Sequence, residues 1–64
     1  MEVDRTQYEI AHGKSPRGTG LWMFALGRNG AWTEFSFNGK FGDALRAAKQ
    51  DAKSIGCTVV VVQS

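Results

Sequence analysis

The stretch LWMFALGRNGAWTEFSF, residues 21–37, decides the fold of this chain because Asn29-Gly30 separates its two apolar-rich halves. Asn-Gly is the dipeptide that best tolerates the two positive φ angles of a type I′ turn, whose twist suits a β-hairpin. A two-residue loop at this point pairs Arg28 with Ala31 and sets every other pair of the two strands. The turn chemistry therefore predicts a β-hairpin.

The hydrophobic pattern agrees with this register. The pairs that fall on one face of the hairpin are mostly apolar: Trp22–Phe37, Phe24–Phe35 and Leu26–Thr33. A slip of one residue would move all of these side chains to the opposite face, so two independent signals specify the same pairing. We expect this face to be buried.

Length and composition bound the class of protein. Sixty-four residues make one domain, near the lower size limit for folding without a disulfide, a metal or a partner. The single cysteine, Cys57, allows no internal disulfide, and we expect a buried thiol that acts as a small hydrophobe rather than a reactive thiol. No segment has the pattern of a signal peptide or the length of a membrane span. We therefore expect a soluble, cytoplasmic protein without a membrane partner.

The N-terminal third predicts one strand and one loop. Residues 7–12 alternate, with Tyr8 and Ile10 on one side, as in a short strand. Residues 13–20 have the composition of a mobile Gly-rich loop. We expect residues 1–6 to be flexible.

The C-terminal part predicts a helix and a final strand. Residues 42–55 carry an apolar stripe at helical spacing, with Asp43 near the start and Gly56 placed for a left-handed cap. Residues 58–62 form a β-branched run typical of a strand. Together the segments predict a two-layer α+β domain, with an antiparallel-rich sheet of order β-β-β-α-β and one amphipathic helix packed on one face.

The predicted core combines the inward side chains of these elements with part of the valine run. Its members are Tyr8, Ile10, Trp22, Phe24, Leu26, Phe35, Phe37, Leu45, Ala48, Ala52 and Ile55.

The opposite face of the hairpin has no predicted helix to cover it. By the same register it carries Leu21, Met23, Ala25, Trp32, Glu34, Ser36 and Asn38. Exposed apolar patches often mark interaction sites, so we predict a contact surface whose partner-binding residues are Leu21, Met23, Trp32 and Glu34. The alternative is that the N-terminal segment or the Gly-rich loop folds over this face.

The run of four valines, Val59–Val62, is apolar on both sides. One interpretation is an inner strand that is buried on both faces. The other is that its face or its edge pairs with a second copy and forms a homodimer. The sequence leaves both open.

Groups that could support catalysis are few. His12 has no cysteine or carboxylate beside it in sequence, and one histidine with one cysteine gives no metal-binding spacing. Asp43 and Asp51 fall on different parts of the predicted helix surface. We therefore predict no enzymatic activity, no metal site and no cofactor.

Nucleic-acid binding is the alternative function. The loop and the hairpin carry more cations than carboxylates, and four of these cations could contact phosphate: Lys14, Arg17, Arg28 and Lys40. A mild positive field there would favour an anionic partner, although a solvated surface explains the same residues.

Part of the chain resembles known DNA-binding domains. The segments GLWMF (residues 20–24), FGDA (residues 41–44) and AA (residues 47–48) resemble the sheet-plus-helix pattern of integrase arm-binding and plant AP2-type domains. The resemblance implies a sheet that contacts DNA through the face away from its helix. Those families present Arg and Lys on that face, and an extra strand follows the helix here. The residues on that face of this chain include Met23, Ala25, Trp32 and Glu34.

The balance of these features favours a small non-enzymatic interaction module that binds a protein partner through the outer face of its sheet. In size and architecture the chain also resembles several small phage-encoded proteins that bind and inhibit host enzymes. DNA binding through the sheet face or the loop is the alternative. Binding phosphates usually needs several cations on one surface, and the outer face supplies almost none.

Overall fold

Four strands and two helices make up the fold in a computed structural model that describes residues 1–63. Along the chain they are β1 (Glu2–Asp4), α1 (Thr6–His12), β2 (Thr19–Arg28), β3 (Ala31–Lys40), α2 (Phe41–Ser54) and β4 (Val59–Val62). The strands form one sheet in the order β1-β4-β2-β3. The β1–β4 pair is parallel and the other two pairs are antiparallel. The predicted α+β class is confirmed, with one parallel pair in the sheet.

The hairpin has the predicted turn and register. Asn29 and Gly30 both have positive φ, 50° and 82°, as a type I′ turn requires. Arg28 pairs with Ala31, and the three apolar pairs expected on the inner face are all present. Because β2 and β3 each span ten residues, this one turn aligns the longest ladder of the sheet.

Replacing Gly30 with valine is expected to destabilise the domain by about 1–2 kcal/mol, because a β-branched residue is strained at positive φ. For a domain of this size that corresponds to a drop in Tm of roughly 5–15 °C. The matched control is Gly20→Val, since Gly20 lies within β2, has no positive φ and has open space where a Cβ would project. Equal Tm values for the two variants, measured by circular dichroism, would contradict this account of the turn.

Helix α2 supplies the main helical contribution to the core. Its buried residues are Phe41, Ala44, Ala48 and Ala52, at the spacing of a single helical stripe. Gly56 follows the helix with φ 80°, the predicted left-handed conformation. The prediction that Ile55 belongs to the core is wrong: the helix ends at Ser54, and Ile55 is 43% exposed beyond it.

Residues 7–12 belong to a helix, so the prediction of a strand there is wrong. In α1, Tyr8 and His12 lie one turn apart and their rings stack with centroids 4.1 Å apart. Gly13 ends the helix with φ 68°, and its N–H donates to the Glu9 carbonyl. Tyr8 is half-buried, whereas Ile10 is 80% exposed and is not a core residue. The element order is therefore β-α-β-β-α-β, with two helices.

The first residues of the chain form a strand instead of the flexible segment predicted for residues 1–6. Glu2 pairs with Val59 and Asp4 with Val61, so β1 covers one edge of β4, while β2 covers the other edge. The interpretation of Val59–Val62 as an inner strand is thus confirmed. Both edges of β4 are paired within the chain, so the valine edge is not free for a second copy, whereas a homodimer through the outward face of this strand stays a prediction.

Both helices pack on the face of the sheet that carries Trp22. The Trp22 ring contacts Tyr8 of α1 at 5.4 Å and Phe41 of α2 at 4.8 Å between centroids. Cys57 is a free, buried thiol within the same core, as expected. The buried core residues are Trp22, Phe24, Leu26, Phe41, Ala44, Ala48, Ala52, Cys57, Val60 and Val62. The predicted members Phe35, Phe37 and Leu45 are partly buried against it.

Candidate functional site

The face of the sheet opposite the helices, here called the outer face, is the candidate site. Side chains alternate along a strand, so the residues between the inward positions of each strand point outward. Their cross-strand pairing arranges them in rows that run from β1 through β4 and β2 to β3. The first row is Glu2, Val59, Gly27 and Trp32, and the second is Asp4, Val61, Ala25 and Glu34. The third is Gln63, Met23 and Ser36, the fourth is Leu21 and Asn38, and the fifth is Thr19 and Lys40.

Three large apolar side chains of the outer face are exposed. Leu21 is 65% exposed, Trp32 58% and Met23 40%. Both helices and the Trp22 core lie on the other side of the sheet, so no helix of residues 1–63 covers these side chains, although Leu21 and Met23 border a groove that Arg17 also lines. The structure thus places three of the four predicted partner-binding residues on one open surface, and the fourth, Glu34, lies in the second row beside them.

The indole ring of Trp32 lies against the sheet because its cross-strand neighbour, Gly27, has no side chain to displace it. Gly27 is its cross-strand partner, and a Cβ added to Gly27 would lie 2.4 Å from the indole ring. The ring therefore lies directly over the Gly27 backbone, which is buried beneath it. Covering a strand glycine with a cross-strand aromatic ring fixes the orientation of that ring.

Carboxylates flank the apolar residues on two sides. Glu2 and Asp4 lie on β1 at one side of the outer face, and Glu34 lies on β3 at the other. Within residues 1–63, the five rows contain three carboxylates, all in the first two rows, and one cation, Lys40, in the fifth. The signal for Glu34 was visible in the sequence, but Glu2 and Asp4 were missed because their strand was not predicted.

Asp4 is charged and held in place. Its Oδ1 accepts a hydrogen bond of 2.9 Å from the Thr6 N–H at the start of α1. This hydrogen bond lowers the pKa of Asp4 below its usual value of 3.8, because it stabilises the ionised form.

The lowered pKa of Asp4 predicts a stability contribution that depends on pH. A carboxylate whose pKa is lower in the folded state stabilises the fold above its unfolded pKa and stops doing so as pH falls through the folded value. Asp4→Ala should therefore have a lower Tm than the parent at pH 6, and the gap should shrink below about pH 4. Asp4→Asn keeps a neutral acceptor, so its gap should be smaller than that of Asp4→Ala at pH 6 and should shrink over the same pH range, because the titrating group belongs to the parent. A pH-independent gap for Asp4→Ala would contradict this assignment.

The four cations predicted to contact phosphate do not form one cluster. Arg17 and Lys40 both border a cavity beside Phe41 at the start of α2, and Lys14 belongs to the same loop. Arg28 lies at the other end of β2, roughly 30 Å along the strand at about 3.3 Å per residue. Its guanidinium lies beside Gly56, just past the end of α2. The idea that Arg28 joins the loop cations is therefore not supported by their positions.

His12 and Cys57 are both packed against other side chains of the fold. His12 stacks on Tyr8 and borders a groove between α1 and β2, and Cys57 is buried in the core. Residues 1–63 contain no group of three or more His, Cys, Asp or Glu side chains that could hold a metal ion.

Comparisons with known proteins add no family to this description. No protein-family model, curated protein or solved structure matches the chain. Neither α1 nor α2, the two helices in the described part of the chain, has the length and apolarity needed to cross a membrane.

Proposed function

We propose that this chain is a non-enzymatic interaction module that binds a protein partner through the outer face of its sheet. The observation that carries the proposal is the exposure of Trp32, Leu21 and Met23 on one face that neither helix covers. Trp and Met are enriched at the centres of protein interfaces, where a buried Trp is a frequent hot spot. A modulator or inhibitor of a host protein, of the type made by phages, is one form that such a module would take.

The charges of the outer face favour a protein over a nucleic acid. Glu2, Asp4 and Glu34 border the apolar residues, and this sign of charge repels phosphates. DNA binding remains the second candidate because Arg17 and Lys40 lie around one cavity next to the loop. The two candidates use different surfaces, so variants can separate them.

The proposal is tested by capture from lysates of candidate host cells, with and without nuclease, using the immobilised protein. We expect a captured protein to survive nuclease treatment and to be lost when Met23 is replaced with aspartate, because a charge placed among the apolar residues must be desolvated on binding. The matched control is Lys14→Ala combined with Arg17→Ala, which removes two cations of the loop and leaves every apolar residue of the outer face in place. This control should keep the captured protein.

The opposite pattern would favour the second candidate. Loss of all binding after nuclease treatment, or loss on the loop substitutions with Met23→Asp unaffected, would overturn the protein-binding proposal. Binding should then also weaken steeply with salt, since neutralised phosphates release counterions. Far-UV circular dichroism of each variant confirms that it remains folded.

A further inference from the structure

The outer face is apolar along its middle and acidic on both sides. The two central strands contribute apolar side chains: Met23 on β2 is 40% exposed, whereas Val61 on β4 is only 9% exposed and adds little accessible surface. The carboxylates lie on the outer strands: Asp4 on β1 and Glu34 on β3 occupy the same row. A partner that covers this surface must have apolar groups opposite the middle and positively charged groups opposite the carboxylates on either side.

The dimensions of this arrangement match an α-helix. Neighbouring strands lie about 4.8 Å apart, so in the first two rows the central strands form an apolar band about 10 Å wide, which continues on β2 alone toward Leu21, and the outer strands lie about 14 Å apart. A helix with its side chains is about 10–12 Å in diameter. From Gly27 to Leu21 the band is about 20 Å long, which a helix of about 13 residues would span.

Resting on the proposed function, we infer that the outer face binds an amphipathic α-helix of a protein partner whose apolar stripe is flanked by lysine or arginine. Lysine and arginine stems cover apolar surface while their charged ends reach past it, so cations on the flanks of such a helix reach the carboxylates beside the band. The helix would lie along β4 and β2 on the side opposite α2.

The charges also give the bound helix a direction. All three carboxylates, Glu2, Asp4 and Glu34, lie in the first two rows, at the Trp32 end of the band. Among the described residues, the Leu21 end has no carboxylate in its rows, and two cations lie near it: Lys40 in the fifth row and Arg17, which lines a groove together with Leu21. The partner's flanking cations should therefore be concentrated near the end of its helix that covers Trp32.

Two synthetic helical peptides of about 14 residues test this inference. They share one apolar stripe and differ only in carrying Lys or Glu at the flanking positions of one half. The two indole groups report the site by NMR, because Trp32 lies on the outer face whereas Trp22 is buried and donates its indole N–H to the Gly18 carbonyl. The Lys peptide should shift the Trp32 indole signal, leave that of Trp22 unchanged and bind at least tenfold more tightly than the Glu peptide at low salt.

Charge reversal on the protein completes the test. Glu34→Lys should weaken binding of the Lys peptide about five- to tenfold at low salt, and Glu34→Gln should weaken it less. The matched control, measured in the same buffer, is Asp43→Lys, an equal change of charge at an exposed position of α2, which packs on the opposite side of the sheet and should therefore alter binding much less.

Three outcomes would overturn the inference: no shift of Trp32 with either peptide, equal affinity for both peptides, or unchanged affinity for the Lys peptide in Glu34→Lys. Its failure differs from that of the proposed function. A captured partner that is lost on Met23→Asp but bound equally by Glu34→Lys supports the interaction surface and refutes only the basic helix.

Discussion

Replacing Trp22 with alanine is expected to destabilise the domain by about 3–5 kcal/mol. Trp22 is only 7% exposed, and its ring joins the two helices to the sheet through Tyr8 and Phe41. Its indole N–H also donates a hydrogen bond of 3.3 Å to the Gly18 carbonyl, which ties the loop to β2. A domain of this length has a free energy of unfolding of about 3–10 kcal/mol, so the variant should be largely unfolded or close to it at 37 °C.

Urea unfolding followed by far-UV circular dichroism measures this loss without depending on tryptophan fluorescence. The matched control is Trp22→Phe, which keeps an aromatic ring in the core but lacks the donor to the Gly18 carbonyl. It should retain most of the stability, because the apolar burial and not the single hydrogen bond is the larger contribution. An unfolding midpoint for Trp22→Ala equal to that of the parent would show that Trp22 is not in the core.

Trp32→Ala is expected to have the opposite profile, with a small effect on the fold and a large effect on binding. The ring is 58% exposed and covers Gly27, a cross-strand contact that contributes about 0.2–1 kcal/mol. As an aromatic anchor that becomes buried on binding, such a side chain costs about 2 kcal/mol or more when it is lost, which is a drop in affinity of roughly 30-fold. The measurement is the Kd for the captured partner, with urea unfolding in parallel.

Gly27→Ala tests the position of the Trp32 ring, because this variant retains Trp32 but displaces its ring. The added Cβ cannot share space with the indole ring, so the ring must swing away from the strand. We expect weaker binding with a domain that remains folded. Unchanged affinity in both Trp32→Ala and Gly27→Ala would remove Trp32 from the contact surface.

The hairpin and α2 could be predicted from the sequence because their signals are local. The Asn29-Gly30 turn sets its own φ angles, and the alternation of the flanking residues fixes the same register independently. The same register also predicted that the outer face would be uncovered. It sorted the side chains onto two faces, and the one helix predicted from the sequence was expected to cover the inner face.

Helix α1 and strand β1 were missed for different reasons. In residues 7–12 the apolar Tyr8 and Ile10 fit an alternating pattern, and the segment is too short for helical periodicity to show. The signals that could have identified the helix were Asp4, which accepts from the Thr6 N–H at its start, and Gly13, which ends it in a left-handed conformation. Strand β1 has only three residues and depends on pairing with the far end of the chain, which no local pattern reveals.

The pairing of β1 with β4 affects how the protein unfolds and aggregates. This ladder joins opposite ends of the chain through three residues, so it closes the longest loop in the fold with the fewest pairs. We expect β1 to dock late in folding and to detach early in unfolding. Each detachment would uncover the edge of Val59–Val62, an uncharged β-branched strand of the kind that nucleates aggregation. By pairing with β4, the short first strand shields the edge of the valine strand from pairing with other chains and so opposes aggregation.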